Sequence, residues 1–105
     1  MDSISILKAL KKHLQDNLGS AVKEVILFGS RAAGTASEDS DYDVLVILAG
    51  DYNWHDENRI LDLCYDIDLK FNILIDAHII SQSEIDSPRG RQPIFINAIN
   101  SGLYA

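Results

Sequence analysis

The chain is poor in cysteine and in basic residues, and it has no long apolar run. Its single cysteine, Cys64, excludes an internal disulfide and favours a reducing, cytoplasmic location. Nine Lys and Arg stand against sixteen Asp and Glu, a net charge of −7. Direct binding to a long nucleic acid is therefore not expected, because backbone phosphates require clustered cations. No apolar run approaches the length of a membrane span and the first residues do not resemble a signal peptide, so no membrane association is expected.

The composition that remains is that of a folded globular domain. Apolar residues make up 47% of the sequence and charged residues 24%, which is typical of soluble proteins with one core. A length of 105 residues predicts a single domain, residues 1–105, without a separate substrate-binding domain.

The spacing of apolar residues predicts alternating helices and strands. Helices are predicted at residues 3–18, from Trp54 to about Leu69 and from Pro93 to Gly102; strands are predicted at residues 22–28, 43–48 and 71–80. Leu103 and Tyr104 are left as an apolar tail. This order predicts an α/β sandwich, with a small mixed sheet whose helices cover one face.

The stretch from Gly29 to Gly34 carries the first sign of chemistry. A β-branched apolar run ends abruptly at Gly29-Ser30, which predicts a buried strand leading into a tight turn and a short helix. Glycine lets the backbone approach a ligand closely, and the serine hydroxyl with the free amides of the turn can hold phosphate oxygens.

Two acidic residues follow at the start of the next strand. Alternate side chains of a strand share a face, so Asp41 and Asp43 are expected to point the same way and Tyr42 the opposite way. Carboxylates about 7 Å apart along a strand can reach a shared pair of hard cations. Magnesium is the expected ion because it prefers oxygen ligands and shares its coordination with substrate phosphates.

The strand, the Gly29-Ser30 turn, the ten-residue spacer and the Asp41-Tyr42-Asp43 strand together resemble the signature of the DNA polymerase beta-like nucleotidyltransferase superfamily. The short chain resembles the minimal nucleotidyltransferases of that superfamily, and the resemblance extends over nearly the whole sequence. It implies that Gly29 and Ser30 bind the triphosphate of ATP and that Asp41 and Asp43 bind two Mg²⁺ ions. Arg31 is either a further nucleotide-binding residue or an ordinary residue of the helix surface.

The superfamily usually contributes a third acidic residue from a later strand. Asp76 is the acidic residue within the third predicted strand, so it is the favoured third catalytic and metal-binding residue. If the family position falls at Asn72 instead, the catalytic set is incomplete, and periodicity alone does not distinguish the two. His78 lies two residues further on and, without a spaced partner, is weak support for a zinc site.

The resemblance also implies a function. The minimal branch resembles the antitoxins of HEPN/MNT toxin–antitoxin modules, which implies transfer of AMP from ATP to a hydroxyl, expected to be a tyrosine, of a partner HEPN-domain toxin. Two alternatives are a catalytically degenerate module that neutralises a toxin by binding it, and AMP transfer to a small molecule. A homo-oligomer and a hetero-oligomer are both compatible with the sequence.

Overall fold

A computed structural model describes residues 2–34 and 41–105, which form a four-stranded sheet with helices on both sides. The elements in chain order are α1 (Ser3–Leu18), β1 (Val22–Phe28), α2 (Ser30–Ala33), β2 (Tyr42–Leu48), α3 (Trp54–Phe71), β3 (Ile75–Ser81), α4 (Pro93–Ser101) and β4 (Leu103–Tyr104). Short 3₁₀ turns lie at Gly19–Ala21 and Gln82–Glu84. None of the helices in the described ranges is long and apolar enough to cross a membrane.

The strand order across the sheet is β3-β2-β1-β4. β1 is antiparallel to both β2 and β4, whereas β2 and β3 are parallel and joined through α3. The predicted mixed sheet is therefore confirmed. The expected tail at Leu103 and Tyr104 is corrected, because these residues pair with β1 as a short edge strand. A strand of two residues has no periodicity by which it could have been recognised.

The ends of the long helices follow from local chemistry. The Asp2 carboxylate accepts a hydrogen bond of 2.7 Å from the Ser5 amide at the start of α1, and Gly19 ends that helix with φ of 62°. Asn53 and Asp56 form a reciprocal capping box at the start of α3. These bounds confirm the predicted starts of α1 and α3 and the predicted end of α1.

The third strand begins later than predicted. α3 continues to Phe71, whose ring packs on the core, and Asn72 then ends the helix in the left-handed region, with φ of 54° and ψ of 52°. The prediction of a strand over residues 71–80 is thus wrong for its first four residues. Apolar residues at the end of a helix and at the start of a strand form one run here, and the run itself does not mark the boundary.

Alternate strand residues divide the core into two parts, one on each face of the sheet. On one face α1 and α3 pack against the larger cluster, which includes Leu14, Val25, Leu27, Val44, Val46 and Ile60. On the other face α4 contributes Phe95 and Ala98 to a cluster with Ile26, Leu45, Ile47 and Ile80. The expectation that helices cover one face is therefore corrected, because α4 packs on the second face.

Candidate active site

The bend between β1 and α2 is built on Gly29. Its φ of 73° and ψ of −154° lie in a region that is essentially restricted to glycine. A Cβ atom at this position would also overlap Oδ2 of Asp43. Both the backbone conformation and the close approach of the carboxylate therefore require glycine. Ser30 follows as the first residue of α2 and is half-buried.

An acidic pair lies beside this bend, on the face of the sheet that carries α4. In the antiparallel ladder Asp43 is paired with Phe28, and in the parallel ladder it is paired with Asp76. The register thus places the two carboxylates on neighbouring strands at the same end of the sheet. His78 is close to both, with its Nε2 atom 3.5 Å from Oδ2 of Asp76 and its ring centroid 5.7 Å from that of Phe28.

The electrostatics of this cluster favour a cation. Burial raises the pKa of the Asp43 carboxyl above its usual range, and the negative charge of Asp76 raises it further; His78 acts in the opposite direction. One ligand atom from each of Asp43, Asp76 and His78 lies within 4.8 Å of the others. The two carboxylates fit the predicted Mg²⁺, which prefers oxygen ligands, whereas the imidazole is a ligand that suits transition metals.

The predicted third acid and its alternative lie in different places. Asp76 is in β3 beside Asp43, whereas Asn72 is exposed at the end of α3 and outside the sheet. Geometry therefore brings Asp76, and not Asn72, to the acidic pair. Its assignment as a catalytic or metal-binding residue stays a prediction.

Asp41 is not part of the cluster formed by Asp43, Asp76 and His78. It is exposed immediately before β2, and its charge contributes to the raised pKa of Asp43. Its predicted metal-binding role is compatible with this place and stays a prediction. Most of the ten-residue spacer, residues 35–40, lies outside the described residues.

Arg31 points away from the acidic pair. Its guanidinium carbon lies 4.2 Å from the centre of the Tyr42 ring, which is a cation–π distance. Tyr42 belongs to the α1–α3 side of the sheet, whereas Asp43 belongs to the opposite side. A role of Arg31 in nucleotide binding stays a prediction.

His78 is the site residue that sequence reasoning undervalued. A signal was present, because Asp76 and His78 are two residues apart in one strand and must share a face. The missing information was the partner strand, since only the pairing of β2 with β3 brings Asp43 next to them.

A cavity of about 260 Å³ lies between α2 and α4, next to the Gly29 bend. Its walls are mostly apolar, with one amide and one hydroxyl group among them; they comprise Phe28, Gly29, Ala32, Ala33, Ile94, Asn97 and Ser101. Such a mostly apolar space beside the Gly29-Ser30 turn is of the kind that holds the uncharged part of a small ligand.

Comparisons with known proteins agree with this geometry. The family model described as nucleotidyltransferase domain matches residues 7–99. Two putative protein adenylyltransferases of Methanocaldococcus jannaschii are 34% and 28% identical to the chain, over 79% and 97% of it and over 84% and 96% of their own lengths. The protein adenylyltransferase MntA of Thermococcus cleftensis is 52% identical over 40% of each chain.

Chains of two crystal structures of MntA–HpeT toxin–antitoxin mutants have a similar fold. Their TM-scores are 0.61 and 0.60 at 17% and 19% sequence identity, and the matches cover 92% and 93% of this chain and 69% of theirs. This likeness confirms the predicted nucleotidyltransferase fold.

Proposed function

Because the chain belongs to the nucleotidyltransferase domain family, we propose that it transfers AMP from ATP to a hydroxyl group of a partner protein. Family membership confirms the resemblance and the enzyme class that the sequence predicted. The relatives that are protein adenylyltransferases support AMP as the transferred group. The observation that carries the proposal is the pairing of Asp43 with Asp76 beside the Gly29 bend.

In this proposal the partner is a helical HEPN-domain toxin, the acceptor is a tyrosine hydroxyl, and the transfer neutralises the toxin. The fold shared with chains of the MntA–HpeT mutants makes a toxin a reasonable partner to test.

The enzyme acts as a single domain in the cytoplasm, where a free thiol is stable. Burial raises the pKa of Cys64 to about 12, so this thiol stays protonated and unreactive.

The residues of the chain contribute position and charge. Asp43 and Asp76 would hold Mg²⁺, with Asp41 as a further ligand, and the Gly29-Ser30 turn would hold the phosphates. When bound, Mg²⁺ would supply positive charge where negative charge develops on the α-phosphoryl group and on pyrophosphate. The acceptor oxygen forms a bond to the α-phosphorus as the bond to pyrophosphate breaks, and Asp76 accepts the hydroxyl proton. The adjoining cavity provides room for the nucleoside.

The alternative function, a module that binds a toxin without catalysis, was motivated by Asn72 in place of the third acidic residue. Asn72 lies outside the sheet at the end of α3, and this position does not support that motivation. No feature of the described residues favours a small-molecule acceptor over a protein.

The proposal is tested by incubating the chain with Mg²⁺, ATP labelled at the α-phosphate and the purified toxin encoded by the neighbouring gene. We expect label on the toxin, nearly complete loss of labelling with Asp76→Asn, and unchanged labelling with Asn72→Ala. Absence of label with the wild-type chain, or equal labelling with Asp76→Asn, would contradict the proposal.

A further inference from the structure

The outer side of α3 carries a row of exposed apolar side chains. Trp54, Leu61, Tyr65 and Leu69, here called the α3 stripe, are 64%, 46%, 59% and 66% exposed. At 100° per residue these four positions fall within about 80° of one another on the helix surface. They therefore lie on one side of α3, with an apolar residue at every fourth position from Leu61 to Leu69 and the polar Asn58 between Trp54 and Leu61.

The stripe does not contribute to the core. The buried side of α3 consists of Ile60, Leu63, Cys64 and Ile67. The centre of the stripe lies roughly 150° around the helix from the centre of that buried side. Single exposed apolar residues are common, but several large ones on one helix face are typical of a binding surface.

The charges beside the stripe are acidic on both sides. Asp62 and Asp66 follow one edge of the stripe, where Asp66 is paired with His13 of α1 at 2.9 Å, and Glu57 and Asp68 follow the other. Within α3, all of which is described, Arg59 and Lys70 lie away from these edges, nearer the buried side. A second copy of the chain would bring the same acids against them, with a net charge of −7 on each copy. A partner with basic residues beside an apolar helix face is complementary instead.

The C-terminal end of the stripe lies at the same end of the sheet as the acidic cluster, but on the side of the opposite face. After α3, the Asp68 carboxylate accepts a hydrogen bond of 2.9 Å from the Ile75 amide, and Leu74, itself 58% exposed, accepts one of 2.8 Å from the Tyr42 amide. Asp76 lies two residues after Leu74. A protein that lies along the stripe must therefore extend around this end of the sheet to reach the paired Asp43 and Asp76.

We propose that the α3 stripe is the docking surface for the protein acceptor, and that it binds an amphipathic helix whose apolar face is bordered by Lys and Arg. The identity of that acceptor as the toxin rests on the proposed function. Docking along α3 gives the enzyme a means of selecting a protein acceptor and of bringing its hydroxyl group to the acidic cluster.

The test measures affinity for the purified toxin by isothermal titration calorimetry. The double variant Tyr65→Glu/Leu69→Glu is compared with Ile96→Glu, which places one glutamate on an exposed apolar residue of α4. We expect the double variant to lose affinity by roughly 100-fold or more, because it introduces charge at the centre of the interface, and Ile96→Glu to bind as the wild type does. A second variant, Asp62→Lys, should weaken binding by a smaller factor that decreases with added salt.

Equal affinity of Tyr65→Glu/Leu69→Glu and the wild type would overturn the proposal, as would a wild-type dimer that this variant dissociates while toxin binding is retained. The melting temperature with and without MgATP serves as a separate readout, and it should rise equally in the double variant and in the wild type. If the wild type binds the toxin through α3 but transfers no AMP, the docking surface stands and the proposed function fails.

Discussion

The two faces of the sheet are made by the same strands but have different tasks. On the face covered by α1 and α3, here called the closed face, β2 contributes Val44 and Val46 to the larger core cluster. On the face that carries α4, here called the open face, the same strand contributes Leu45 beneath the helix and Asp43 beyond the α4 cluster. The polar side chains of Asp43, Asp76 and His78 lie at the end of the open face, beyond the apolar residues that α4 covers. We therefore expect substitutions on the closed face to change stability and those at the end of the open face to change activity.

The largest expected effect is that of Asp43→Asn on AMP transfer. The substitution keeps the shape of the side chain and removes its charge, so the divalent ion loses a ligand. We expect the rate to fall about 1,000-fold or more, which corresponds to about 4 kcal/mol of activation free energy. Label transfer from ATP to the toxin measures it, and Asp86→Asn, at an exposed position, should leave the rate unchanged. A similar rate for both variants would contradict the division between the faces.

On the closed face, Leu14→Ala should act on stability alone. Leu14 is fully buried between α1 and the sheet, and its truncation leaves a cavity in the larger core cluster. We expect the free energy of unfolding to fall by about 3 kcal/mol, measured by urea denaturation. Transfer activity per folded molecule should be unchanged at a temperature well below the transition. A large loss of activity in a folded variant would show that the two faces are coupled.

Gly29→Ala tests the bend that joins the two regions, and Gly34→Ala is its matched control. Both glycines have positive φ, 73° and 76°, but of the two only position 29 is one where an added Cβ meets another atom of residues 2–34 and 41–105 within 4 Å, the nearest being Oδ2 of Asp43. We expect Gly29→Ala to destabilise the fold by about 2 to 3 kcal/mol and to reduce transfer, and Gly34→Ala to cost about 1 kcal/mol through backbone strain alone. Equal thermal shifts and equal activities in the two variants would argue against a tight contact between the bend and the carboxylate.

The smallest expected effect is the pH dependence of stability. The folded-state pKa of Asp43 is raised above its ordinary value of 3.8, chiefly by burial and then by Asp76. The folded protein therefore binds this proton more tightly than the unfolded chain does, and ionisation of Asp43 destabilises the fold. The loss of folding stability caused by this ionisation is complete above the raised pKa, and it disappears as the pH falls from that pKa to 3.8.

In metal-free buffer, Asp43→Asn should thus be more stable than the wild type at neutral pH. The difference should vanish in acid, as measured by urea denaturation from pH 3 to pH 7. A variant that is less stable than the wild type at neutral pH would show that the carboxylate stabilises the fold without a metal.

Features that repeat along the chain were predictable from sequence. The bounds of α1 and β1 agree with the apolar spacing that predicted them, because each is a long or sharply ended element with one buried side. The same holds for the start of α4 at Pro93, which is favoured in the first turn of a helix. The short edge strand β4 and the change from α3 to β3 were missed, since each depends on one or two residues.

The candidate site was predictable only in part, because it is assembled from strands that are distant in sequence. The Gly29-Ser30 turn and Asp43 lie in one local motif that the sequence displays directly. Which of Asp76 and Asn72 lies beside Asp43 depended on where α3 ends and β3 begins, which periodicity does not mark, and on the pairing of β3 with β2. The presence of His78 in the cluster depends on the same pairing.

The central claim, that Asp43 and its neighbours hold a metal and ATP together, is tested most directly by the melting temperature with and without MgATP. Ligand that binds only the folded state adds about 2.7 kcal/mol of stability at 100 times its dissociation constant, so the effect is easily measured. The wild type and Asp86→Asn should melt several degrees higher with MgATP, and Asp43→Asn should show almost no shift. No shift in the wild type, or the same shift in Asp43→Asn, would contradict the account.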